Sequence, residues 1–496
     1  MKKDFSKIDL LSIFIINVYL VVIAYFALKL ADNQFGGYDL SPLIDLFWRV
    51  ELGQIPNKDF ITTFPVIFIV LAKLNSFFNH IDWDLFTWIN ILVSFLILNL
   101  ILIQAVLFKF KNYLVLWILG IGISIPLIYT NHIWHSSISS IIAINFVFNV
   151  YLITLNRRVG SGLLLFISTF LLVMTKQNLG PPLLIITLVL SVLLLRNLIF
   201  RLMSLVLSGI FFGILFTLIL TKMDIAGLGY LYFGASSRII PSAEMINAIR
   251  SVPSFKITAI VICLLLLLSV ISFYKINSNR AQKIFPLTYL ILSFIPLLTD
   301  WDSKINNLPL VIACSTLTVS NLKPQAVGSS VFEKNINLIN LMAVIIILDT
   351  AISHGIDRER MRAVGDFFES PANNSLNTRL FSNLKTGDRF SGIMSEIKSL
   401  NFQNEEKIYF GPRMEWAYYE SKLKSPMHVP LYWLPGTSYA LKDENDIVQN
   451  IQSSKFDFFI FARGDRTYLP AELISYLDLN YEITPSFSYI DVLSRR

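Results

Sequence analysis

The sequence predicts a polytopic α-helical membrane protein of about eleven spans, with two interfacial helices in the first outer loop and a small C-terminal extracytoplasmic α/β domain. Three observations predict it. The 496 residues are 54% hydrophobic and 15% charged, with a mean hydropathy of +0.61, which is too apolar for a soluble chain and too long for a single span. Apolar runs long enough for a hydrocarbon core of roughly 30 Å recur from Leu10 to Ser353 and then stop. Past that point short alternating elements take over, so the expected division is a membrane module over 1–354 and a soluble domain over 355–496.

The apolar runs are 10–30, 64–78, 86–108, 113–129, 138–155, 162–175, 181–195, 202–221, 257–274, 284–298, 308–322 and 335–353. The first follows a basic start (Lys2, Lys3, Lys7) but is too long for a signal peptide and lacks a small-residue cleavage site, so it is expected to stay as a span. The short connectors 109–112, 156–158, 196–201 and 274–283 are basic and should be cytoplasmic together with the amino terminus. All four face outward if 64–78 crosses the bilayer, and all four face inward if it does not. FPVIFIVLAKLNSFF is short, begins near a proline and carries Lys73 in its middle, which suits a helix lying along the outer interface with a snorkelling lysine. The outer face then collects 31–63, 130–137, 175–182, 222–256, 299–307 and the tail. The localisation that follows is a multi-pass protein of the plasma (inner) membrane.

Basic residues belong to the membrane part. After Ser353 there are 17 basic and 19 acidic residues, against 41 and 34 in the whole chain. Basic membrane loops orient helices and meet anionic lipid, and no concentrated patch points to nucleic acid. Cys263 and Cys314 both lie in apolar runs, so no disulfide framework is expected in the soluble part.

The first outer loop reads FGGYDLSPLIDLFWRVELGQIPNKDFITTFP. Ser41-Pro42 looks like an N-cap followed by a first-turn proline, and Gly53 ends the run, so a short helix is expected over 42–52. Leu43, Leu46, Phe47 and Val50 share one face, while Asp45 and Arg49 sit four apart on the other. Gly36-Gly37 permits a sharp turn that leaves Asp39 at the mouth of the first span. An Asp after the first span, an interfacial helix ending in Gly53, and then Gly53-x-x-Pro56-x-x-Asp59-Phe60 leading through Pro65 into a second interfacial helix together resemble the C superfamily of glycosyltransferases (GT-C). Within that superfamily the pattern is similar to the protein mannosyltransferase and lipid A aminoarabinose transferase type.

The resemblance implies a transferase that moves a sugar from a polyprenyl-phosphate carrier to an extracytoplasmic acceptor (glycan, lipid or protein), with inversion. It implies Asp39 as the catalytic base, with Asp59 as a second acidic candidate. Sugar transfer needs such a carboxylate to take the acceptor's proton while a phosphate leaves the anomeric carbon. A lipid-phosphate donor also needs cations at headgroup depth. Lys176 and Gln177 at the outer end of the fifth span, Arg238 in the 222–256 loop and Lys304 in TDWDSKINN are the donor-phosphate candidates. His132 and His135 in TNHIWHSS stand where many relatives carry an acidic residue on the acceptor or metal side. Two histidines and one Asp form a poor oxygen-rich set for magnesium or manganese, so the sequence establishes no cofactor.

In the tail, SGIMSEIKSL, ENDIVQNIQ and PAELISYL read as helices, KIYFG and FDFFIF as strands, and YEITPSFSYIDVL as a closing strand pair. No Gly-rich phosphate loop follows either strand, which agrees with a donor that needs no nucleotide. Two other classes stay open on the sequence: a lipid-linked oligosaccharide polymerase or ligase, and a transporter or flippase using polar residues such as Asn145, Asn149 and Thr217.

Overall fold

The computed structural model describes residues 7–31, 37–78, 80–110, 112–129, 132–156, 162–195, 198–234, 280–295, 304–319, 374–400, 402, 406–466 and 468–496, with a few positions in 341–352. The expected runs 257–274 and most of 335–353, with Arg238, lie outside the described residues. The chain divides into two compact units. One contains Met1–Lys29, Phe86–Leu215 and Ile239–Gly355; the other contains Leu30–Leu85, Phe216–Arg238 and Ile356–Arg496.

The first unit is helical. Its described elements are α1 (Lys7–Ala31), α4 (Leu85–Leu107), α5 (Tyr113–Tyr129), α6 (His135–Asn156), α7 (Gly162–Val173), α8 (Gly180–Leu194), α9 (Ile199–Thr221), α11 (Arg280–Leu292) and α12 (Lys304–Val319). Among the described residues, four stretches are long and apolar enough to cross a membrane: Leu11–Lys29, Leu85–Leu107, His135–Leu155 and Ile199–Thr221. Shorter apolar helices accompany them, as expected for a helical membrane protein. In α6, 94% of the apolar window is buried, against 28% in α1 and in α9, so α6 is the central helix while α1 and α9 present apolar side chains outward. Helix α12 packs on α5 and α6, and α11 packs on α6, α8 and α12.

Polar side chains inside this unit cross-link helices. Gln104 Nε2 donates to Asn145 Oδ1 at 2.9 Å, and Asn145 Nδ2 donates to Ser168 Oγ at 2.8 Å, which ties α4, α6 and α7 together. Tyr19 and Ser124 share a 2.8 Å hydrogen bond between α1 and α5, and Thr187 and Tyr289 a 2.6 Å one between α8 and α11. Such pairs stabilise helix contacts where lipid offers no alternative partner.

The second unit is α/β. It contains α2 (Gly37–Glu51), α3 (Val66–Asn75) and α10 (Ile225–Phe233) from the amino-terminal two-thirds of the chain. The tail adds β1 (Asn374–Asn377), β2 (Ser382–Thr386), α13 (Asp388–Ser399), β3 (Ile408–Phe410), α14 (Trp416–Glu420), α15 (Glu444–Ser454), β4 (Phe458–Ala462), α16 (Ala471–Asn480), β5 (Tyr481–Thr484) and β6 (Ile490–Arg495). The main sheet runs β3-β4-β6-β5, with β3 and β4 parallel and the other pairs antiparallel. Each helix and strand expected in the tail is present, and the β1–β2 hairpin is an addition the sequence pattern did not signal. Tyr409, Trp433, Tyr439, Phe456, Phe459, Phe461 and Tyr481 form much of the core, and Ile61, between α2 and α3, packs against it.

The segment between α1 and α4 is laced into this unit rather than lying beside it. His428 N donates to Asp59 O, Ile61 N to Val429 O, and Leu431 N to Ile61 O, so residues 59–61 pair like a strand with 428–431. Trp48 Nε1 donates to Leu423 O at 2.8 Å. Past α3, Trp83 donates from its backbone to Leu380 O and from Nε1 to Ser382 O, and Ser382 Oγ donates to Asp82 Oδ2 at 2.7 Å. Helix α10, capped by Asp224 Oδ1 on Gly227 N, joins through Asn57 Nδ2 to Gly227 O and through Tyr230, whose hydroxyl donates to Asp443 and accepts from Ala440 N.

Two expectations are corrected here. Helix α2 begins at Gly37, so Ser41 is an internal residue and not an N-cap, and Pro42 lies within the helix. Asp45 and Arg49 do not form a solvated face: Asp45 is 0% exposed and Arg49 2%, because residues 415–433 of the tail cover that side. Gly53 does end the helix turn, with φ of +81°, a conformation that favours glycine.

Candidate functional site

Within the first unit, three residues singled out from the sequence come together. The segment before α6 is fixed by Ile133 N donating to Phe86 O and by Asn90 Nδ2 donating to His132 O at 3.3 Å. Ser137 Oγ donates to Trp134 O and accepts from Trp134 N, which caps the start of α6. The rings of Trp134 and His135 lie 4.3 Å apart, and His132 packs edge-on to Trp134. Ser136 Oγ bonds His135 Nδ1 at 2.9 Å.

Lys176 reaches the same place from the turn after α7. Its backbone N donates to Ser139 Oγ at 3.0 Å, and its Nζ is 3.4 Å from Ser136 Oγ. Lys176 O accepts from the backbone N of both Leu179 and Gly180, which folds TKQNLG into a tight turn leading to Pro181 and Pro182 at the start of α8. A Cβ at Gly180 would stand 2.4 Å from Leu172 O and from Thr175 Oγ1, so only glycine fits this turn. The result is an ammonium, an imidazole and serine hydroxyls grouped at the amino end of a 22-residue helix. Cations, hydroxyl donors and a helix amino terminus all favour an anion. Gln177 is half-buried in the same turn. Ser136 and Ser139 were not singled out from the sequence; the hydroxyl-rich first turns of α6, HSSISS, are the signal that could have marked them.

The second unit holds the first-loop candidates. Asp39 lies in the first turn of α2. Asp59 has a structural bond: its Oδ2 accepts from Ile55 N at 2.7 Å, closing the turn that Asn57 makes in the left-handed region with φ of +57°. Phe60 is buried beneath the Arg49 guanidinium, 5.0 Å from its ring centroid. Arg49 Nε donates to Asp45 Oδ2 at 2.7 Å, while its Nη1 donates to Pro426 O at 2.6 Å and to Gln54 Oε1 at 3.3 Å. Ser425 Oγ donates to the other Asp45 oxygen, and Gln54 Nε2 donates to Ser425 O. Burial raises the Asp45 pKa, and Arg49 and Ser425 oppose that rise.

A second buried acid stands beside this pair. Ser41 Oγ donates to Glu415 Oε2 at 2.5 Å and accepts from Trp416 N at 3.1 Å. Burial pushes the Glu415 pKa up to about 8, with Asp45 adding to the rise and the Ser41 bond resisting it. Tyr409, whose hydroxyl accepts from Trp433 Nε1, and Tyr418 line the same small cavity of about 10 Å³, the size of one water. Neither Arg49 nor Glu415 was singled out as functional from the sequence.

Lys304 opens α12, and Arg238 lies outside the described residues. Among the described residues no group of three His, Cys, Asp or Glu side chains is placed to hold a metal ion. No family model matches the chain, and no curated protein matches it in sequence.

Proposed function

We propose that the chain is a membrane glycosyltransferase moving a sugar from a polyprenyl-phosphate carrier to an extracytoplasmic acceptor, with inversion. The observation that carries this reading is the Lys176, His135 and Ser136 grouping at the start of α6. Asp39 takes the proton of the acceptor hydroxyl or amine as that atom attacks the anomeric carbon. The bond from that carbon to the phosphate oxygen breaks, and the polyprenyl phosphate leaves with one more negative charge than it held as a diester. Lys176 and the hydroxyls beside it stabilise that added charge. Gln177, Arg238 and Lys304 are the further donor-side candidates.

The topology belongs to the same proposal. Residues on both flanks of α3, Ile61 before it and Trp83 after it, bond to the tail. A crossing helix would put its two flanks on opposite sides, and ten residues reach only about 15 Å. Both observations support a helix α3 that lies along the membrane surface. The bonds that α10 and the 37–85 segment make with the tail support a reading in which these three segments share one side and α4 to α9 make an even number of crossings. In this reading the basic connectors are cytoplasmic, which makes that side the outer one.

The test is transfer by the purified protein in lipid nanodiscs, supplied with radiolabelled polyprenyl-phosphate sugars. Lys176→Met is expected to cut kcat by about 10²-fold or more, since it removes a stabiliser of charge that develops only as the donor departs. Unchanged kcat and KM in that variant would remove Lys176 from the site.

A further inference from the structure

We propose that Glu415, in the tail, is a positioning residue that holds the catalytic turn of α2 through Ser41. This rests on the reading of Asp39 as the base. Ser41 is two residues after Asp39 in the same helix, and it is 0% exposed with both its donor and acceptor capacity taken up by Glu415 and Trp416. The tail thus grips α2 one half-turn from Asp39. It grips the helix again one and two turns later, through Ser425 on Asp45 and Pro426 on Arg49. A domain that served only as a cover would not need to reach the second turn of that helix, directly after the turn that carries Asp39, with a buried acid.

The charged and titratable groups around Glu415 are Asp45 and Arg49 from α2, Tyr409 from β3, Tyr418 from α14, and the Arg413–Asp465 pair at 3.6 Å in the neighbouring turns. Burial favours the neutral acid, so the packed state binds a proton that an opened state releases. Burial carries the Glu415 pKa from an ordinary 4.5 to about 8 when packed. The hold is therefore fully present below about pH 4.5, weakens as pH rises towards 8, and levels off beyond it.

The experiment is hydrogen exchange of the full chain in nanodiscs between pH 5 and 9, corrected for intrinsic rates and followed on peptides covering 37–48. In the native sequence, protection there should fall by up to about tenfold per pH unit and flatten above pH 8. Glu415→Gln, which keeps an acceptor for Ser41 and cannot ionise, should abolish that slope and extend transfer activity to higher pH. Ser41→Ala should lower protection of 37–48 at every pH while α15, at Glu444–Ser454, stays protected as the control for folding. A pH slope in Glu415→Gln equal to that of the native chain would overturn the proposal. Should the slope vanish in Glu415→Gln while Asp39→Asn transfers sugar normally, the coupling stands and the reading of Asp39 as base falls.

Discussion

Asp39→Asn should reduce sugar transfer by about 10³-fold while leaving the protein folded and inserted. Asparagine keeps the shape of the side chain and loses the ability to accept a proton, and positioned general bases contribute about 10²–10⁴-fold. Asp39 lies in the first turn of α2, where a negative charge is favoured by the helix dipole. Losing that charge costs about 0.3–1 kcal/mol, too little to unfold the unit. The effect should therefore fall on kcat with donor binding retained, which transfer kinetics and a donor-binding assay on the same preparation will separate. A variant with native kcat would exclude Asp39 from the mechanism.

Arg49→Met should destabilise the second unit by about 3–5 kcal/mol, the range for removing one partner of a buried ion pair. The guanidinium spans four elements of structure at once. It bonds Asp45 in its own helix, Gln54 in the turn that follows, and the Pro426 carbonyl of the tail, and it lies over the Phe60 ring. Methionine fills much of the volume but leaves Asp45 buried with only Ser425 to bond it. The penalty should grow as pH rises and Asp45 is forced to ionise, because the Arg49 charge that opposes the desolvation is gone. Thermal unfolding of the purified protein measures this directly. The double variant Arg49→Met with Asp45→Leu should recover most of the loss, since replacing both members of a buried pair by apolar groups is often near neutral. Failure of the double variant to recover would mean that the bonds to Pro426 and Gln54, and not the ion pair, carry the stability.

The helical membrane class and the tail elements were legible because they rest on local signals. Apolar run length marks helices such as Leu85–Leu107 and Ile199–Thr221, and short alternation marks strands such as Phe458–Ala462. The site was legible one residue at a time. Lys176, His132 and His135 could each be singled out by type and location, but the meeting of Lys176 and His135 at Ser136, with His132 against Trp134, depends on how α6 and the turn after α7 pack. The burial of Arg49 was not legible because an Asp and an Arg four apart look the same on a solvated face and in a core. The stretch LIDLFWRV did contain a clue: apolar residues surround the pair on all sides, the mark of a helix buried all round. Glu415 could not be read at all, since its partner Ser41 is 374 positions away and burial of both arises only when the tail closes over α2. The Pro56-x-x-Asp59-Phe60 motif was legible as a pattern, while its work as a turn clamped by 428–431 and by Arg49 is a tertiary fact.

The most direct measurement is single-turnover transfer by the purified chain in nanodiscs carrying one radiolabelled polyprenyl-phosphate sugar at a time, with candidate acceptors outside. One donor of the panel should lose its label to an acceptor with inverted anomeric configuration, releasing polyprenyl phosphate, and the reaction should disappear in Asp39→Asn. Label that stays on the carrier with every donor while the lipid-linked sugar moves between leaflets would contradict the account and leave a transporter in its place.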